Sequence, residues 1–169
     1  MPKIVPKQQI GANVFNMMLS FCLLLALSSA ELLPATLGVA LFVGLASLAV
    51  SSVAVAMITS GLHWQVAKFG LFHAFAPYGE IQWRHLQFTY AVALASSNGI
   101  GFLLNWAIAS SLPRPFHRSY SIAAFFSLAL CLSFLLTALL ATHDLSDEAD
   151  MEQKTTLVRR QEQQSYTEL

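Results

Sequence analysis

Asn98, Gly101 and Asn105 stand three and four residues apart within Ala91–Ala109, AVALASSNGIGFLLNWAIA, so they share one face of a helix with Ala91 and Leu94. Carboxamides can coordinate or hydrogen-bond a passing ion or solute without carrying charge. Several copies assembled around this face would therefore make an oligomeric channel or transporter subunit. The same side chains can also serve packing alone. An amide without a partner in hydrocarbon is costly, so each would seek Ser47, Ser51 or a backbone carbonyl in the same bundle, a bond worth about 0.6 kcal/mol on average. Packing is the expectation, because the predicted span interiors hold no Asp, Glu, Lys or Arg to mark an ion or proton path.

Three histidines, His63, His85 and His143, fall near the predicted ends of spans on one side. Imidazole is the commonest metal ligand, and a haem or metal held across helix ends would need such a trio. None is deep in a span and no carboxylate set accompanies them, so interfacial histidines without a ligand are expected; His73 and His117 sit in loops. There is no Ser/His/Asp or paired-carboxylate constellation, no Walker loop and no dinucleotide fingerprint. No catalytic residue, cofactor or metal is assigned, and the expectation is a protein that is not an enzyme. Cys22 and Cys131 both lie inside apolar stretches and form no CxxC, which points to buried structural thiols rather than a disulfide scaffold or zinc site.

These residues must be held by membrane helices. Of 169 residues 56% are hydrophobic and only 11% charged, with a mean hydropathy of +0.58. Soluble domains run near about 25% charged. A net charge of zero argues against nucleic acid as a partner. Charges divide the chain into uncharged stretches at 8–30, 32–67, 85–113 and 119–143. Each reaches the roughly 20 residues a crossing helix needs. The fold class expected is an all-α integral membrane protein, a four-transmembrane-helix bundle with short loops, an aromatic interfacial segment and a disordered C-terminal tail. Residues 1–11 form the N-terminus, 12–142 the membrane domain with spans near 12–30, 35–60, 86–110 and 119–142, and 143–169 the tail.

The first span has a second reading. Lys3, Lys7, the apolar run to Leu27 and then Ser28-Ser29-Ala30 resemble a secretory signal with a small-residue cleavage site. A cut there would leave only Glu31–Pro34 before the next helix, so retention is expected. With four spans, seven Lys and Arg (Lys3, Lys7, Lys68, Arg84, Lys154, Arg159, Arg160) fall on one side and two, Arg114 and Arg118, on the other. The positive-inside rule then places both termini in the cytoplasm.

The second span carries Ala40, Gly44, Ser47, Ser51 and Ala54 at alternating spacings of four and three. Small residues repeated this way let helix backbones approach closely in lipid, and the Asn98 face of the third span is the natural partner. Ser60-Gly61 reads as the end of that helix. Residues 62–85, with Trp64, Phe69, Phe72, Phe75, Tyr78 and Trp83, read as a segment at headgroup level, turned back by Pro77-Tyr78-Gly79; a shallow re-entrant hairpin is the alternative. Glu31–Pro34 makes a tight turn and Pro113-Arg114-Pro115 stiffens the other outer loop, so neither holds a large recognition domain.

After His143 the chain turns acidic and then Gln-rich, with too few apolar residues for a core. It ends Ser165-Tyr166-Thr167-Glu168-Leu169. Thr167-Glu168-Leu169 resembles a ligand for PDZ domains, which capture a C-terminal carboxylate and its last apolar side chain. Tyr166 and Leu169 also match the anchors of the tyrosine-based sorting signal read by clathrin adaptors. In layout the chain resembles tetraspan proteins such as the MARVEL-domain group, over the membrane part only. It lacks the cysteine-rich outer loop of tetraspanins and the Trp/Cys signature of claudins, and no residue role is carried over. The function expected is a non-enzymatic tetraspan acting in membrane organisation, trafficking or as an accessory subunit. Its partners would be the bilayer, other membrane proteins or itself, and whatever reads the tail.

Overall fold

In the computed structural model the described residues are 7–30, 36–62, 83–111 and 118–142. They form helices α1 (Lys7–Ser28), α2 (Thr36–Thr59), α3 (Trp83–Ser111) and α4 (Arg118–Thr142). All four are long and apolar enough to cross a membrane, the pattern of a multi-pass membrane protein. The shortest, α1, has 22 residues, about 33 Å of helix against a hydrocarbon core of about 30 Å. Charge is confined to their first two residues, at Lys7, Arg84 and Arg118. α1 begins earlier than the span near 12–30 because Gln8 and Gln9 are helical; hydropathy alone discounts them, whereas Gln9 is in fact buried.

The helices run up, down, up and down. Asn16 of α1 meets Thr137 of α4 at 3.1 Å, and Ser119 at the start of α4 meets the Ser29 carbonyl at the end of α1. Asn105 meets Ser127, and a Cβ at Gly99 would lie 3.6 Å from Cys131 Sγ, so α3 and α4 are antiparallel too. α1 packs on α2, and α2 on α3. α2 ends at Ser60-Gly61. The Ser60 and Gly61 amides donate to the Ala56 and Ile58 carbonyls, and Gly61 turns to a φ of 72°, where a side chain would be strained.

One repeat decides what faces inward. Buried positions fall three and four residues apart on every helix: Gln9, Asn13, Asn16, Ser20, Leu23 and Leu27 on α1, and Ala40, Gly44, Ser47, Ser51, Ala54 and Ile58 on α2. α3 turns in Gln87, Ala91, Leu94, Asn98, Gly101, Asn105 and Ala109. α4 turns in Tyr120, Ala123, Ser127, Leu130, Phe134, Thr137 and Ala141. A period near 3.5 keeps one seam of each helix against its neighbours along the full length and favours left-handed packing.

The outward faces are apolar and bulky. Met18 is 62% exposed, Phe42 72%, Leu103 63% and Leu139 65%, so each helix presents large hydrophobes outward. Water would make such a surface an aggregation site; lipid is the solvent it suits. Outward hydroxyls need no partner from lipid, because Ser52, Thr59, Thr89, Ser96 and Ser97 each donate to the carbonyl four residues back. Trp83 and Trp106 stand near opposite ends of α3, about 35 Å apart along its axis, the separation of two membrane interfaces.

The interfacial segment lies outside the described residues over 63–82, as do Glu31–Pro34, the Pro113–Pro115 connection and the tail.

Candidate functional site

The bundle interior is where polar chemistry collects. Gln9, Asn13, Asn16 and Ser20 on α1, Ser47 and Ser51 on α2, Gln87, Asn98 and Asn105 on α3, and Ser127, Ser133 and Thr137 on α4 are all buried. A membrane protein can hold such residues inward because several find an acceptor or donor on another helix, as Asn98, Asn16, Asn13 and Asn105 do, whereas lipid offers none.

Asn98 is fully buried and donates from Nδ2 both to Ser47 Oγ at 2.9 Å and to the Leu94 carbonyl at 2.8 Å. Because the Leu94 carbonyl can only accept, the edge of the amide facing it must be the nitrogen. Asn98 Oδ1 is therefore left pointing elsewhere, and it has no partner among the described residues. Asn105 donates to Ser127 Oγ at 3.3 Å, again with no partner for Oδ1 among the described residues. Gly101, between them, sits where a Cβ would come 3.7 Å from Ser127 Oγ, ordinary contact.

The expected α2 stripe lines the same interior. Gly44 is the tightest point: a Cβ there would meet Leu24 Cδ2 at 3.0 Å and Leu23 Cδ2 at 3.6 Å, so α1, not α3, is the helix pressed against it. Ser47 receives Asn98. Ser51 is fully buried and its hydroxyl has no partner among the described residues.

No family model, curated protein or solved structure matches the chain. Its chemistry must therefore be read from the interior itself.

Sequence reasoning passed over most of that interior. Asn13 donates to the Gln9 carbonyl at 2.9 Å and accepts from the Tyr90 hydroxyl at 3.0 Å, tying α1 to α3. Asn16 donates to Thr137 Oγ1 at 3.1 Å, and Thr137 passes its own proton to the Ser133 carbonyl at 2.9 Å. Since that hydroxyl proton is engaged, Thr137 can only accept from Asn16, which fixes the Asn16 nitrogen toward α4 and leaves its Oδ1 without a partner among the described residues. Ser20 closes on the Asn16 carbonyl at 2.8 Å. Gln87 is fully buried with neither amide atom partnered among the described residues. A signal was present: Gln9, Asn13, Asn16 and Ser20 carry the same four-three-four spacing as the α2 stripe, along the stretch whose sequence reads as the first crossing span or a secretory signal.

His85 is exposed in the first turn of α3. His63 and His143 lie outside the described residues, as do Tyr166, Thr167 and Leu169. Among the described residues no three His, Cys, Asp or Glu gather into a metal-binding group.

Proposed function

We propose that this chain is a non-enzymatic tetraspan membrane protein that organises or escorts other membrane components, through its lipid-facing helix surfaces and its C-terminal tail. The supporting observation is the division of labour between its surfaces. Buried amides and hydroxyls join the helices at Asn98–Ser47, Asn16–Thr137, Tyr90–Asn13 and Asn105–Ser127, while the outward faces of the described helices are predominantly apolar. Partners within the membrane meet chiefly large apolar side chains such as Phe42, Leu103 and Leu139.

Both termini lie in the cytoplasm in this reading, on the count of seven basic residues against two. The first span is retained, since α1 supplies Asn13, Asn16 and Ser20 to the interior and packs against α2. A tail on that side offers Thr167-Glu168-Leu169 to a PDZ domain or Tyr166 and Leu169 to a clathrin adaptor. Deleting residues 166–169 should shift the protein between cell-surface and internal membranes, read by surface biotinylation and fractionation. An unaltered distribution would remove the tail from the proposal.

Burial of Asn98 and Asn105 within one chain's bundle supports a packing role over an oligomeric channel or transporter subunit lined by that face.

A further inference from the structure

We infer that the interior of the bundle is a binding site for a small uncharged hydrogen-bond donor, water being the simplest, held by Asn16, Ser51 and Asn98. The register of the helices brings these residues together. Gly44 lies against Leu23 and Leu24, so on antiparallel helices Ser47 falls level with Ser20 and Ser51 with Asn16. Asn98 is bonded to Ser47 and so stands one turn, about 6 Å, from the Asn16 and Ser51 level. All three side chains are fully buried, and each has an oxygen without a partner among the described residues.

The chemistry of the occupant follows from which atoms remain. Both amide nitrogens are engaged, by Thr137 for Asn16 and by Ser47 and the Leu94 carbonyl for Asn98. Two carbonyl oxygens and one hydroxyl remain, so the occupant must bring protons to share. A metal cation fits poorly: it wants about six or more oxygens, and the four helices carry no Asp or Glu to balance its charge. A water bridging buried groups makes about three hydrogen bonds, the number of atoms left over here. The polar side chains Gln9, Asn13 and Gln87 continue the interior towards the end where α1 and α3 begin. Towards the other end Leu23, Leu27 and Leu130 fill the interior.

Ser51→Ala gives the sharpest test, because it removes a hydroxyl with no partner among the described residues and little else. If that hydroxyl binds an occupant, S51A lowers the unfolding midpoint by about 2 °C or more relative to S52A, whose hydroxyl bonds the Leu48 carbonyl on the flank of the same helix. If it sits in a dry interior, removing it raises the midpoint. The second measurement uses a protein in lipid nanodiscs with Cys22 and Cys131 replaced by alanine. A small water-borne methanethiosulfonate reagent, which needs a hydrated thiolate, should modify S51C but not the lipid-facing L45C. Both results are required; an equal or raised S51A midpoint, or an unreactive S51C, overturns the proposal. Protection of S51C by added urea or glycerol would identify a larger neutral donor as the occupant, and lack of protection would identify water.

Discussion

Asn98 shows how a polar residue becomes affordable in a membrane. Its nitrogen serves Ser47 on α2 and the Leu94 carbonyl on its own helix, so one side chain both engages its donors and fixes the α2–α3 register. Bonds of this kind between membrane helices are individually weak, because the separated helices also find partners. A double-mutant cycle over Asn98→Ala and Ser47→Ala should give a coupling of about 0.6 kcal/mol and not above about 1.7, measured by reversible unfolding in mixed micelles. Strict additivity would mean that the bond contributes nothing. The pairing was legible in part: the sequence offers Asn98 a choice of Ser47, Ser51 or a backbone carbonyl. Spacing alone cannot choose between them, because Ser47 and Ser51 lie one turn apart on the same face and only the axial offset of α2 against α3 selects one.

At the level of elements, α1 and α2 meet where Gly44 leaves room for Leu23 and Leu24. Alanine there asks only that the end of the Leu24 side chain give way by a few tenths of an ångström. Leucine would drive the helices apart and should cost about 1–3 kcal/mol. Gly11, with nothing within 4 Å of its Cβ position, is the control: Gly11→Ala should leave stability equal or slightly raised, since alanine favours the helix. Equal behaviour of G44L and G11A in a denaturant titration would show that the α1–α2 seam does not pass through Gly44. The sequence marks Gly44 as a packing position and suggests the Asn98 helix as its partner. The structure puts α1 there, because α3 is met one turn further on, at Ser47.

For the whole molecule, apolar outward faces and polar inward ones make a body that only a bilayer can dissolve. Its orientation should be readable with an impermeant thiol reagent on intact cells, given a plasma-membrane population. His117→Cys, in the connection between α3 and α4, should be labelled, while Ser165→Cys in the tail should be labelled only after permeabilisation. The reverse pattern would invert the topology drawn from the basic residues. Loss of the segment before Glu31 from the purified protein, read by intact mass, would show that the first span is removed as a signal.

The sequence by itself determined the class of object. Four charge-free stretches of sufficient length leave the backbone no alternative to helices in lipid, and small residues at three-and-four spacing mark the inward seam of α2. Only the tertiary structure decided what the seam encloses. Whether Gln9, Asn13 and Asn16 face lipid, water or one another depends on how α1 is rotated and on which helix it meets, and both are set by contacts made far along the chain, at Tyr90 and Thr137. The leftover oxygens at Asn16, Ser51 and Asn98 are visible only once every donor in the interior has been matched to its acceptor.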